Sequence, residues 1–167
     1  MLTNTYDSFG QIATSRSGNG PIKTFTINSN GDITAISEDT GAYVSAGRST
    51  LGWVTSTTRL PFGTSYYTRD NWGRVTGITN PDASNSSITY DPEDTVTNVV
   101  DENGHSSQFG YDDAIRLITS VNGRGDTETY DYNANGWITS VINGRGKTRT
   151  YEYTLRGDSK KMTLPDG

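Results

Sequence analysis

The stretch "VNGRGDTETYDY", Val121 to Tyr132, returns 21 residues later as "INGRGKTRTYEY", Ile142 to Tyr153. The glycines and tyrosines stay, while Asp126 becomes Lys147 and Glu128 becomes Arg149. A fixed period decides the architecture before any other feature, so the whole chain is set in rows of 21. One column then holds Gly10, Gly31, Gly52, Gly73, Asp94, Ile115, Gly136 and Gly157. Two residues on stand Ile12, Ile33, Val54, Val75, Val96, Leu117, Ile138 and Ser159. A third column reads Gly20, Gly41, Phe62, Ala83, Gly104, Gly125, Gly146 and Gly167, and a fourth Phe25, Ala46, Tyr67, Ile88, Phe109, Tyr130 and Tyr151. Eight rows of 21 make 168, and the sequence has 167 residues, so one array is expected to fill it. Its approximate rows are 6–26, 27–47, 48–68, 69–89, 90–110, 111–131, 132–152 and an incomplete 153–167.

With 31% hydrophobic residues the chain is poor in material for a thick core. Ten Tyr, three Trp and four Phe, many in register, nevertheless argue for order rather than disorder. A net charge of −5 with scattered basic residues argues against nucleic-acid binding, which needs a clustered basic surface. The absence of cysteine excludes disulfides and thiolate chemistry. The opening "MLTNTYDSFG" has neither a basic start nor an apolar stretch, so no signal peptide and no membrane insertion are read here.

In the row from Tyr132 to Tyr153, "WITSVI" and "KTRTYEY" are β-branched and aromatic, and "NANG" and "NGRG" are turn signals. Each row therefore predicts one β-hairpin plus a turn to the next. Asn135–Gly136 and Asn143–Gly144 are read as suppliers of the positive φ that tight turns need. Strict alternation puts Ile138 and Ile142 on one face and Trp137 and Val141 on the other. The expected fold is all-β, about eight antiparallel hairpins in a curved single-layer sheet stabilised by same-column side chains. Equivalent strands of successive hairpins lie roughly 10 Å apart, two strand spacings. The Asp126/Lys147 and Glu128/Arg149 exchanges thus relieve like-charge stacking and add little direct ion-pair energy.

"YDSFGQIATS" (Tyr6 to Ser15), "NPDASNSSITYDP" (Asn80 to Pro92), "YDDAIRLITSV" (Tyr111 to Val121) and "YNANGWITSV" (Tyr132 to Val141) resemble the YD repeat, also called the Rhs repeat. Its pattern is approximately Tyr-Asp-x-x-Gly-Arg-Leu-Thr-Ser-Val. The Tyr-Asp pair stands at Tyr6–Asp7, Tyr90–Asp91 and Tyr111–Asp112; the row from Arg48 to Thr68 matches least, keeping Gly52, Val54 and Tyr67. The resemblance implies a ribbon of hairpins that spirals into a shell, as in bacterial polymorphic toxins, insecticidal toxin complexes and teneurins. It implies a wall segment whose partners are a toxin or effector cargo and further shell repeats, outside the cell or on its surface. The self-cleaving aspartates of the Rhs core are not recognised, so no release chemistry is carried over.

On this reading the repeat positions are structural: Tyr6, Asp7, Gly10, Ile12, Gly31, Ile33, Gly52, Val54, Gly73, Val75, Tyr90, Asp91, Val96, Tyr111, Asp112, Leu117, Tyr132, Gly136, Ile138, Tyr153 and Gly157. No residue is assigned to catalysis, to a cofactor or to a metal. His105, the single histidine, is read as an exposed loop residue, since a catalytic base would need a positioned partner. Arg124-Gly125-Asp126 and Arg156-Gly157-Asp158 are read as products of the turn columns. "DPED", "DEN" and "YDD" lack calcium-loop spacing and are read as solvated turns. Trp53, Trp72 and Trp137 are candidate ligand-facing aromatics, and they support a second reading as a wall- or glycan-binding hairpin module. Finally, the register puts "LTNT" (Leu2 to Thr5) in an outgoing strand and "KKMTLPDG" (Lys160 to Gly167) in an incoming one. If the polypeptide is complete, unpaired edges at both ends predict head-to-tail self-association.

Overall fold

The computed structural model describes residues 1–165. Among them there is no helix, and sixteen strands follow one another in sheet order as they do in sequence, antiparallel in each registered pair. The chain divides into two compact units, Met1–Asn85 and Ser86–Gly167. The first holds β1 Leu2–Tyr6, β2 Ile12–Ser17, β3 Lys23–Ile27, β4 Ile33–Glu38, β5 Tyr43–Arg48, β6 Val54–Leu60, β7 Gly63–Arg69 and β8 Val75–Thr79. From the unit boundary onward come β9 Asn85–Tyr90, β10 Val96–Val100, β11 Ser106–Tyr111, β12 Leu117–Val121, β13 Thr127–Tyr132, β14 Ile138–Ile142, β15 Thr148–Tyr153 and β16 Ser159–Thr163. Each period supplies two strands and two loops, as the glycine columns predict. β1 pairs with β2 and β16 with β15, while Asp166 and Gly167 lie outside the described residues.

The alternation of side chains departs from the strict pattern at one position per row. In the second unit Asp131 opposes Ser140, but Tyr132 opposes Ile138, leaving Thr139 as a bulge. The same shift recurs at Gly110/Tyr111 and Glu152/Tyr153, and in the first unit at Thr5/Tyr6, Thr26/Ile27, Gly47/Arg48 and Thr68/Arg69. A bulge of one residue flips the face of everything beyond it. Ile138 consequently shares a face with Val141, and Ile142 lies on the other, which corrects the assignment made by counting twos. The extra residue is usually threonine, and Thr34 and Thr97 each donate their hydroxyl to the partner-strand carbonyls of Thr26 and Thr89.

Sorting by register gives the two faces different chemistry. One carries Tyr130↔Val141, Tyr132↔Ile138, Tyr151↔Met162 and Tyr111↔Leu117, and in the first unit Phe25↔Ile36, Ile27↔Ile33 and Tyr67↔Ile78. The other carries small and hydroxyl-bearing pairs: Thr5↔Thr14, Thr26↔Ala35, Gly47↔Ser56, Thr68↔Gly77, Gly110↔Thr119 and Asp131↔Ser140. No layer covers either face: among the described residues only Ala35, 9% exposed, is buried. The accessible surface is 11502 Å², against about 8,100 Å² for a globular chain of this mass. Stability therefore rests on half-buried cross-strand pairs and on the loops.

Among the described residues, three non-glycine positions take up the positive φ that glycine supplies elsewhere: Ala83 (66°), Asp94 (72°) and Ile115 (60°). Ile115 is β-branched and 53% exposed, so it bears the steric cost of the left-handed region with little burial to offset it. Ile115→Gly is expected to stabilise the chain by about 1 kcal/mol, read as a higher urea midpoint, whereas Gly136→Ala lowers it.

Candidate functional site

The chemistry of this chain is concentrated along the two loop edges of the sheet. At one edge the loops begin at Asp7, Asn28, Ser49, Asp70, Asp91, Asp112, Asn133 and Thr154, the positions that follow the tyrosine column. Each loop closes in the same way. The N–H of the first residue donates to the carbonyl four residues on, and the N–H of the fourth donates back to the first residue's carbonyl, as in Asn133 N to Trp137 O (2.9 Å) and Gly136 N to Asn133 O (2.9 Å). The first side chain then caps the loop. Asn133 Oδ1 accepts the N–H groups of Asn135 and Trp137, both at 3.0 Å, and Asp112 Oδ1 those of Ala114 and Arg116 at 2.9 and 3.0 Å. Asp7, Asn28 and Asp70 repeat this pattern, and Thr154 does so with its hydroxyl. The opposite edge uses the same device at Asp101, Asn122 and Asn143. The preference for Asp or Asn after tyrosine is thus a requirement for a short side-chain oxygen that reaches its own backbone two and four residues on.

The tyrosine before the cap ties one row to the previous one. The pairing of β12 with β13 ends at Thr119↔Thr129, and beyond it the Tyr132 hydroxyl donates to the Leu117 carbonyl at 2.7 Å. Tyr111 does the same for Val96 (3.0 Å), and Arg69, in the same column of the first unit, donates Nε to Val54 (3.0 Å). Arg116 lies over the Tyr132 ring, 4.8 Å from its centroid.

Successive loops also stack. A β-carbon on Gly144 would lie 2.7 Å from Asp126 Cβ, and one on Gly123 2.7 Å from His105 Cβ. Gly144 does not supply a positive φ, contrary to the sequence expectation; Gly146 (72°) does, and Gly144 is small because the preceding loop rests on it. Trp53 and Trp137 occupy the corresponding place on the other edge. Added β-carbons on Gly73 and Gly157 would fall 2.7 and 2.8 Å from their rings, and Trp137 meets Tyr153 at 5.3 Å between centroids. Trp72 instead stands 78% exposed at a loop tip, with the Arg74 guanidinium 5.0 Å from its ring. The three tryptophans therefore occupy two different environments rather than one surface.

His105 is exposed, with Nδ1 3.1 Å from Asp101 Oδ2. Asp126 of the first Arg-Gly-Asp triplet accepts the Asn122 amide at 3.1 Å, and Asp158 of the second accepts the Thr154 hydroxyl at 3.3 Å. Between the loops at Asn122 and Asn143 lies a cleft of about 400 Å³, lined by Asp126, Glu128 and Arg145 among others. One row earlier a cleft of about 420 Å³ lies between the loops at Asp101 and Asn122. These clefts recur because the loops recur.

Asp70, Asp82, Asp91, Asp101 and Asp112 are held below the ordinary aspartate range by hydrogen bonds within their loops. The Thr95 hydroxyl does this for Asp91, the His105 N–H for Asp101 and the Arg116 guanidinium for Asp112, and the Ser84 hydroxyl does it for the loop carboxylate Asp82. For Asp70, desolvation pushes upward and the bonds from Arg74 more than offset it. A depressed carboxylate stabilises the fold fully above its unfolded value, about 3.9, and that contribution is lost as pH falls through the folded values. Thermal stability is thus expected to be flat from neutral pH down to about pH 5 and to drop below about pH 4. Asn133→Ala should cost about 1 to 2 kcal/mol and Tyr132→Phe about 1 kcal/mol, measured by urea titration, with Asn133→Asp tolerated.

Residues 46–167 match the family model described as Teneurin YD-shell. No curated protein matches the chain in sequence. Among solved structures, the TcdB2-TccC3 complex without its hypervariable C-terminal region is similar over 98% of this chain and 10% of its own, with a TM-score of 0.72 and 15% identity. The Tc holotoxin pore of Photorhabdus luminescens is similar over 98% of this chain and 12% of its own, with a TM-score of 0.66 and 14% identity. This chain spans roughly a tenth of the length of those chains, and at such identity the likeness is one of fold.

Proposed function

The chain belongs to the Teneurin YD-shell family, and from that premise we propose that it is a non-catalytic wall segment of an Rhs/YD-type β-shell, exported from a bacterial cell, that encloses a toxin or effector polypeptide. The observation that carries this reading is a wall one sheet thick whose polar groups close the wall itself. The cap carboxylates are engaged by their own loop backbone, the tyrosine hydroxyls by the carbonyls of the preceding row, and the bulge threonines by the partner strand. Such a design isolates one side of a surface from the other and needs no pocket.

The solved structures to which the chain is similar are many times longer than it is, and we infer that the wall continues in further repeats. Among the described residues β1 and β16 each have a sheet neighbour on one side only, and an open strand edge is a template for pairing. We extend the proposal to pairing of these edges with further repeats or with a second copy of the chain.

The test is proteolysis of the native gene product that contains this sequence. A non-repeat polypeptide is expected to resist a broad-specificity protease while the product is folded and to be digested once urea opens the repeats. Digestion at the same rate in both states would overturn enclosure. Sedimentation velocity of the chain alone should show concentration-dependent association, and a strictly monomeric species would remove the edge-pairing part.

A further inference from the structure

The sequence contains six Asn–Gly pairs, the dipeptide most prone to spontaneous deamidation because glycine leaves its amide nitrogen unhindered. In that reaction the glycine nitrogen attacks the asparagine Cγ. An N–Cγ bond forms, the Cγ–Nδ2 bond breaks, and ammonia leaves carrying the amide proton. One water molecule then opens the succinimide to aspartate or isoaspartate. The ring fixes the asparagine ψ angle far from that of a tight turn, so a folded loop must open before it can close.

Five of the six pairs sit in capped loops. Asn122 and Asn143 are themselves caps, their Oδ1 atoms held by two backbone N–H groups each at 2.9 to 3.1 Å. Asn30, Asn103 and Asn135 have their own N–H bound to the cap side chain, and the N–H of the following glycine bound to the cap carbonyl. Asn19 is different. No side-chain oxygen caps the amides of its turn: Gly20 N donates to Ser17 O at 2.9 Å, Gly18 N to the Met1 carbonyl at 2.8 Å and Arg16 Nε to the Gly20 carbonyl at 3.0 Å, and Asn19 is exposed. The flanking strands also hold it loosely: β2 and β3 are registered at two positions, Thr14↔Thr24 and Ser15↔Lys23, where β10–β11, β12–β13 and β14–β15 have three.

We propose that Asn19–Gly20 is the deamidation site of the folded chain and that the side-chain caps protect the other five pairs. The modification places a new carboxylate, or an isoaspartyl linkage one methylene longer, in the turn whose Gly20 carbonyl accepts Arg16 Nε at 3.0 Å.

Peptide mapping by mass spectrometry tests this on the intact chain incubated at mildly alkaline pH, folded and in urea. In the folded protein the ammonia-for-water mass change should build up several-fold faster at Asn19 than at any other pair, and in urea the six rates should converge. Asn133→Ala, which removes the cap of its loop, should raise the rate at Asn135 toward that of Asn19. Equal rates at all six pairs in the folded chain, or a capped pair outrunning Asn19, would overturn the proposal.

Discussion

One side-chain oxygen accepting two amide protons governs the rest of this structure. Placed after the last residue of a strand, it turns five residues into a loop of fixed shape, and the strand that follows leaves in a fixed register. Because the loop shape is the same at Asn133 as at Asn143, one local rule serves both edges of the sheet. The bulge, the threonine that bridges it and the tyrosine that reaches back to the previous row all lie within a few residues of such a loop. A sheet without a covering layer cannot rely on core burial to select its register. Local hydrogen bonds of about 1 kcal/mol each, repeated at every turn, take over that task.

The period, the hairpins and the positive-φ glycines were legible because each is set by a residue's own backbone. Gly10, Gly31, Gly52 and Gly136 announce a left-handed conformation that few other residues adopt without strain. Gly144 and Gly123 were not legible in that way, since their smallness answers a side chain eighteen residues earlier, Asp126 and His105 respectively. The bulge escaped for a related reason: counting by twos assumes an unbroken ladder, and nothing in "WITSVI" alone marks Thr139 as supernumerary. The signal was present in the columns, where threonine stands at positions 34, 55, 76, 97 and 139 between the aliphatic residue and a mostly small one.

The candidate aromatics were half legible. A Trp that follows the column glycine, as Trp53 and Trp137 do, packs over the glycine of the next row, while Trp72 precedes that glycine and points from the loop tip. A shift of one or two positions in a five-residue loop therefore separates a packing residue from an exposed one. The charge exchange between Asp126 and Lys147 follows the same logic. Both occupy the last position of a loop, where the cap holds the backbone N–H in the same way whichever residue type stands there.

Among the described residues, the strand contacts within each unit join consecutive strands. Such a chain behaves as a one-dimensional lattice, in which each row's free energy depends on itself and its two neighbours. Folding can then begin at any well-formed hairpin and spread by zippering, with low contact order and correspondingly small loop-closure costs. In evolutionary terms, a duplication or deletion of one whole period inside the array keeps every remaining interface intact, whereas a change of half a period exchanges the two edges. Length is therefore the property of this architecture that selection can alter most cheaply.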